Sequence, residues 1–292
     1  MPELPFNTVA ILGPGLLGGS IALAVREKMP ACELRLWARR EAPLTLAREK
    51  GIEHTFTDAR QAVNGADLII LATPIGAFEE LSRSILSAIR KDALVTDIGS
   101  VKAYVHRTTG TMLTERKRLF IGSHPMAGAE KQGFEHAFPS LLQGATVVTT
   151  NPHGVDESLQ RRLEQFWEAL DCRTYRMSPA HHDRTVARIS HMPHIMAALG
   201  ARNSTPGDVD TADLQRLASS GFRDTTRVCS GAAGMWADIL WENDVAVREV
   251  LHNCVDDLHR LVDLLETQNK AGVQAWLEEA KETRELILQL DK

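Results

Sequence analysis

Gly13-Pro14-Gly15-Leu16-Leu17-Gly18 is the first stretch of the chain whose residue types are spaced for chemistry. It follows a β-rich run, Thr8–Leu12, and opens an amphipathic run, Leu17–Lys28, inside a strand–helix–strand unit ending at Ala38. In that setting Gly13 permits a tight turn and Gly15 lets a pyrophosphate approach the backbone. Gly18 lets a helix pack on the strand, and the helix N-terminus offers unpaired N–H groups. The loop, with Leu16 and Leu17, is a candidate dinucleotide site; a glycine turn without a ligand is the bland alternative. About 20 residues beyond such a loop an NAD site carries an acidic side chain for the ribose 2′-hydroxyl. Here stand Ala38, Arg39 and Arg40. An absent carboxylate removes repulsion of a 2′-phosphate, and a guanidinium can bind it through paired hydrogen bonds. NADP is therefore favoured, with NAD still possible; two solvated surface charges are the alternative. Thr73 and Pro74 close the run Leu68–Thr73 and are expected beside the cofactor's central ribose, because ligands of open α/β sheets sit beyond strand ends.

Three further segments carry residues that packing does not explain. They are Asp97-Ile98-Gly99-Ser100-Val101-Lys102, Gly122 to Lys131 (GSHPMAGAEK), and Ser190-His191-Met192-Pro193-His194 with Gly221 to Arg227 downstream. His191 and His194 raise the question of a metal. No cysteine or carboxylate shares their segment, so none is expected.

The elements that must position these residues change character midway. Strand candidates are Thr8–Leu12, Glu33–Ala38, Leu68–Thr73, Leu94–Asp97, Leu119–Ser123 and Ala145–Thr150, with a short run at Arg173–Met177. Helical patterns at Leu17–Lys28, Ala42–Lys50, Phe78–Ile89, Val101–Glu115 and Asp156–Leu170 separate most of them. Such alternation predicts an α/β fold, a Rossmann-type doubly wound, mostly parallel sheet covered on both faces. After Pro179 strand signals stop, and Ala180–Gly200, Asp210–Ser220 and Met235–Thr267 read as helices. In the last of these Val247, Val250, Leu251, Cys254, Leu258, Leu261, Val262 and Leu265 form a wide apolar stripe. A final helix continues the pattern. We expect a dinucleotide-binding domain over 1–177 and an all-helical domain over 178–292, whose apolar surface suits a homodimer.

Composition fits a globular protein of 292 residues, 43% hydrophobic and 24% charged, with net charge −5. Residues 1–178 carry 21 basic and 20 acidic groups; residues 179–292 carry 12 and 18. This balance argues against a nucleic-acid partner. No apolar run is long enough for a membrane span, and the early strand at Thr8 leaves no room for a signal peptide. Cys32, Cys172, Cys229 and Cys254 form no CxxC pair and read as free thiols in a cytoplasmic chain.

GSHPMAGAEK at 122–131 together with SHMPH at 190–194, and onward through Met235-Trp236-Ala237-Asp238-Ile239, resembles the prephenate and arogenate dehydrogenases of tyrosine biosynthesis. The resemblance spans essentially the whole chain. It implies NAD(P)-dependent oxidative decarboxylation of a cyclohexadienol that carries a ring carboxylate. That reaction needs a base near neutral pKa, a carboxylate clamp and a held cofactor. An imidazole stays partly unprotonated at neutral pH. His124 is therefore expected to accept the ring hydroxyl proton, with Ser100 from a neighbouring strand end orienting it. The resemblance places Arg227 on a substrate carboxylate. It also places Trp236, His194 and His191 in the pocket, Glu130 at its entrance, and Asp224 with Phe222 near a dimer interface. Taken singly, His124 could cap the turn before Pro125 and Arg227 could pair with Asp224 on a helix surface. His194 could be a core histidine and Glu130 a solvated charge.

Two other readings compete. β-Hydroxyacid dehydrogenases and imine reductases share the two-domain plan but rely on a lysine of the helical domain, and residues 179–269 contain none. A non-catalytic dinucleotide-binding redox sensor would need the glycine loop without His124, His194 and Arg227.

Overall fold

The computed structural model describes residues 4–129, 131–204, 207 and 209–289. Strands β1 (Thr8–Leu12), β2 (Glu33–Trp37), β3 (His54–Phe56), β4 (Leu68–Leu71), β5 (Leu94–Asp97) and β6 (Leu119–Phe120) make one sheet in the order β3-β2-β1-β4-β5-β6. All its pairings are parallel. Its helical connections are α1 (Leu16–Lys28), α2 (Glu41–Glu49), α3 (Ala59–Val63), α4 (Phe78–Ile85), and α5 (Ala103–Val105) running through a π turn into α6 (Thr111–Glu115). β1 and β4 are unbroken apolar runs because both faces of a parallel sheet are covered. Val9, Ile11, Leu68 and Ile70 enter one core, with Ile21 and Trp167. Ala10, Leu12, Ile69 and Leu71 enter the other, with Phe78, Leu113 and Phe120. β3 and α3 are too short for periodicity to reveal.

The expected strand Leu119–Ser123 is divided. The Ile121 amide still reaches Val95 O at 3.1 Å, and the chain then leaves the main sheet. β7 (Gly122–Pro125) pairs antiparallel with β8 (Thr146–Thr150), which pairs parallel with β9 (Arg173–Arg176) in a separate three-stranded sheet. Gly122 permits the switch, since a Cβ there would lie 2.6 Å from Thr150 Oγ1 and 2.9 Å from His106 Nε2. Helix α7 (Glu157–Ala169) buries Leu163, Phe166 and Trp167 against this region's core.

Beyond Ser178, which caps α8 (Pro179–Val186), the described elements are helical. A π turn over Ala187–His191 leads into α9 (Met192–Asn203). Pro193 has no N–H for the carbonyl four residues back, and the wide turn absorbs the missing bond. Next come α10 (Thr211–Leu217), α11 (Ser220–Thr226), a 3-10 turn over Arg227–Ser230 and α12 (Ala233–Glu242). The helix expected over Met235–Thr267 is broken at Asn243, whose amide is drawn into the buried polar cluster described below; α13 (Asp244–Glu266) starts afresh. The chain divides into compact units over residues 1–244 and 245–292. The expected division after residue 177 falls inside the first, where strand gives way to helix. The second unit comprises the rest of α13 and α14 (Lys270–Leu288), with Asn269 Oδ1 capping Gly272 N at 2.9 Å. Within it Leu258, Val262, Leu265 and Leu277 are 49–60% exposed.

Candidate active site

The strand order reverses between β1 and β4, so a crevice opens at their carboxyl ends. Gly13, at φ +125°, sits so close to β4's end that a Cβ would lie 2.6 Å from Ala72 O and 2.9 Å from Thr73 N. A Cβ on Gly18 would collide with Gly13 O, and one on Gly15 would meet nothing within 4 Å. Gly13 and Gly18 are thus demanded by close packing, whereas Gly15 faces open space. Gly15 also occupies the N-cap of α1, where no side chain caps the helix and no acidic residue stands in the first turn. Leu16 and Leu17 form that turn, leaving its N–H groups for an anion. Thr73 Oγ1 is buried without a partner beside this turn, and Pro74 directs the chain away from the sheet. An open glycine, free helix N–H groups and an orphaned hydroxyl together fit a dinucleotide. Ala38 is buried at the end of the second strand, and Arg39 and Arg40 beside it are exposed.

His124 lies on β7 of the three-stranded sheet, just after the chain leaves β6. The Ser123 peptide before it is held from both sides: its N–H donates to Asp97 Oδ1 at 3.3 Å, and its carbonyl accepts from Lys102 Nζ at 2.7 Å. Ser123 Oγ bonds Thr96 Oγ1 at 2.8 Å and accepts from Trp167 Nε1 at 3.2 Å. Lys102 and Asp97 are themselves an ion pair with no solvent exposure. Burial pushes the Lys102 ammonium down and the Asp97 carboxyl up, and the attraction between them opposes both shifts.

His124 Nδ1 lies 2.8 Å from His182 Nε2, and His182 Nδ1 lies 2.7 Å from Asp183 Oδ1. The same carboxylate accepts Lys102 N and Ala103 N, each at 2.8 Å. Ser100, half-buried after β5, makes no hydrogen bond to His124; the Nδ1 position belongs to His182. The chain of bonds fixes both tautomers. A carboxylate accepts, so His182 Nδ1 carries hydrogen and its Nε2 carries a lone pair. His124 Nδ1 must then donate, which leaves the lone pair of His124 on Nε2, where no described protein group bonds it. Burial first, then the neighbouring His182 and Lys102, hold His124 well below the ordinary histidine range, so it is neutral.

A second cluster adjoins the first. Asn243 Nδ2 donates to Asp183 O at 2.9 Å and lies 3.1 Å from His191 Nδ1. His194 stacks on Trp236 with centroids 3.5 Å apart, and His191 meets the same indole edge-on at 6.1 Å. His191 Nε2 and His194 Nδ1 are buried with no partner. Burial lowers His191 to about 4. It also lowers His194, against an opposing hydrogen bond to the Val228 backbone. An unpaired buried polar atom costs about 1–3 kcal/mol, so these nitrogens suit a polar ligand. Arg227 opens the 3-10 turn after α11; that turn and α11, which carries Asp224, both pack against α9. Arg227 and Asp224 are exposed. Glu130 lies outside the described residues. Sequence reasoning missed His182, Asp183 and Asn243, and gave Asp97 and Lys102 no role within a segment it singled out. A His-His-Asp run opening a helix was the available signal.

The sheet, glycine turn and histidine cluster define a dinucleotide-dependent dehydrogenase architecture. Residues 21–176 match the family model described as prephenate dehydrogenase, nucleotide-binding domain, and residues 178–279 match prephenate dehydrogenase, dimerization domain. The chain belongs to the prephenate dehydrogenase family. It is 31% identical over 288 residues to the cyclohexadienyl dehydrogenase of Zymomonas mobilis, covering 98% of this chain and 97% of that protein. The structure of prephenate dehydrogenase from A. aeolicus in complex with hydroxyphenyl propionate and NAD+ is similar to it, with TM-score 0.87 and 26% identity over 98% of this chain and 99% of that one. Synechocystis arogenate dehydrogenase is similar with TM-score 0.81 and 27% identity, over 96% and 100%. Family membership displaces the hydroxyacid-dehydrogenase and imine-reductase readings.

Proposed function

We propose that this chain oxidatively decarboxylates prephenate, arogenate or both, with NADP favoured over NAD, as a cytoplasmic homodimer. The observation that carries the reading is the tautomer lock on His124, which leaves the lone pair of its Nε2 without a bonded protein group among the described residues. Gly13, Gly15, Gly18 and the first turn of α1 bind the pyrophosphate, Thr73 and Pro74 lie along the ribose, and Arg39 and Arg40 take a 2′-phosphate. The nicotinamide, when bound, accepts a hydride from the substrate's carbinol carbon. His124 Nε2 accepts the hydroxyl proton. Arg227 anchors a carboxylate, Trp236 forms an apolar wall, and His191 and His194 supply hydrogen bonds. Ser100 lines the same strand end, and Asp224 lies at the rim.

No described helix is long and apolar enough to cross a membrane. A second copy of the chain would cover the apolar stripe left exposed along Leu258, Val262 and Leu265. The test is an absorbance assay of reduced cofactor with prephenate and arogenate, each against NAD and NADP, alongside light scattering for mass. Turnover with either acid supports the reading. Cofactor binding with no turnover on both acids overturns it in favour of a sensor.

A further inference from the structure

We infer that His182 and Asp183 are a proton relay behind His124, so that the positive charge gained when His124 takes the substrate hydroxyl proton does not stay on His124 but passes one ring further, to His182 against Asp183. The inference rests on the proposed reading of His124 as the base. As the carbinol hydride leaves with its electron pair for the oxidised nicotinamide, the substrate O–H bond breaks and an N–H bond forms at His124 Nε2. The His124 Nδ1–H bond then breaks and an N–H bond forms at His182 Nε2, 2.8 Å away. The cation now sits on His182, whose Nδ1–H already points at Asp183 Oδ1 from 2.7 Å. Loss of carbon dioxide from the ring leaves a phenolate, which takes a proton back from His124 Nε2. His182 returns its own to His124, and no net proton is stored.

Placement favours the second ring. Burial and the Lys102 ammonium oppose a cation on either ring, and on His124 no described carboxylate bonds the imidazole to offset them. On His182 it would meet the Asp183 carboxylate, which two backbone N–H groups already hold in place. Asp183 is anchored at its backbone as well, since its carbonyl accepts from Asn243. The acceptor end of the relay is therefore fixed before substrate arrives, which is the condition for electrostatic help without reorganisation. His182 is a positioning residue that also receives the charge, and it acts on substrate only through His124.

The variant His182→Gln separates transfer from orientation. Its amide oxygen can still accept from His124 Nδ1–H but cannot take up the proton. A relay predicts that kcat falls about 10²-fold, a loss comparable to removing an acid–base group, with KM and thermal midpoint close to wild type. A variant with wild-type kcat overturns the relay and leaves the proposed function standing. Wild-type protein inactive on both acids overturns both. Should the variant fail to fold, long-range ¹H–¹⁵N spectra of the wild-type full chain decide without turnover. His124 protonated at Nδ1 and bare at Nε2, with His182 protonated at Nδ1, supports the relay; His124 protonated at Nε2 refutes it.

Discussion

Replacing Lys102 by methionine tests whether the buried pair under His124 holds that part of the fold. Lys102 and Asp97 have no exposed side-chain surface. The substitution keeps the aliphatic stem and removes the ammonium, so the Ser123 carbonyl loses a donor and Asp97 loses its cation. Asp97 keeps only the Gly99 amide at 2.8 Å and the Ser123 amide at 3.3 Å. Removing one partner of a buried ion pair costs about 3–5 kcal/mol. For a domain of this size each kcal/mol moves the thermal midpoint by roughly 2–4 °C, so a fall on the order of 10 °C is expected. A second signature separates a stranded charge from a mere packing defect. With Lys102 gone, burial acts on Asp97 against the Gly99 and Ser123 amides alone and raises its carboxyl further above the unfolded value. Such a group costs its full stability above the raised folded value and is relieved as pH falls through that value toward the unfolded one. The gap between Lys102→Met and wild type should therefore narrow from pH 8 to pH 5 in calorimetry. Asp97→Asn combined with Lys102→Met removes both charges and should recover about half the loss or more. A single variant within a degree of wild type, or a gap independent of pH with no recovery in the double variant, would refute the reasoning.

Four other outcomes are expected. His124→Asn should lower kcat by about 10²–10⁴-fold with cofactor Kd unchanged in fluorescence titration; a fall in cofactor affinity alone contradicts the assignment. Arg227→Ala should act mainly on substrate KM, and steady-state kinetics with unchanged KM would remove it from the pocket. Arg39→Ala with Arg40→Ala should weaken NADP by about tenfold or more, the worth of a charge-assisted bond, and leave NAD nearly unaffected in calorimetric titration; equal losses sink the 2′-phosphate contact. Acid should destabilise the fold through its buried neutral histidines. Burial lowers His106 to about 3 and His191 to about 4, so stability is full above the unfolded value near 6.5 and is lost as pH falls from there toward those folded values. Each adds a slope of up to about 1.4 kcal/mol per pH unit, and a urea midpoint that stays flat between pH 7 and 5 would contradict this.

The parts of this protein that could be read from sequence are those where a local pattern has a local cause. Gly13, Gly15 and Gly18 announce a turn and a helix start because their demands lie within one strand–helix unit. The runs at β1, β4 and β5 announce a covered parallel sheet because each strand's own residues fill both cores. His124, His194 and Trp236 stood out through their motifs, and the structure brings His191, His194 and Trp236 into one stack. The unread parts depend on distant partners. The strand expected over Leu119–Ser123 looks continuous in hydropathy, and its second part pairs instead with a distant strand, Gly122 lying opposite Thr150. The helix expected over Met235–Thr267 is periodic throughout, yet breaks where Asn243 bonds a carbonyl 60 residues earlier. His182 stood in a His-His-Asp run whose meaning lies in a bond to a histidine 58 residues away. Ser100, expected to orient His124, makes no hydrogen bond to it, and Nδ1 is held by His182.

The change of sheet at Ile121 also explains why the base needs so much support. In a parallel α/β sheet the strand ends offer a crevice for the dinucleotide, but a base set on one of those ends would compete with the cofactor for the same space. Moving Gly122–Pro125 to the small sheet carries His124 off the main sheet while Ile121 still hangs from β5. Such a segment would be free to shift, and the structure pins it at points of opposite chemistry: Asp97 on the Ser123 N–H, Lys102 on the Ser123 carbonyl, and His182 on the ring. Two of these anchors come from β5 and the loop after it; the third comes from α8, beyond the last strand. Asp183 closes the circuit by binding Lys102 N with the carboxylate that fixes His182. The tautomer of the base is thus set jointly by the nucleotide-binding sheet and by the first helix after it. A change in how α8 packs on that sheet would reach His124 directly, without passing through either ligand.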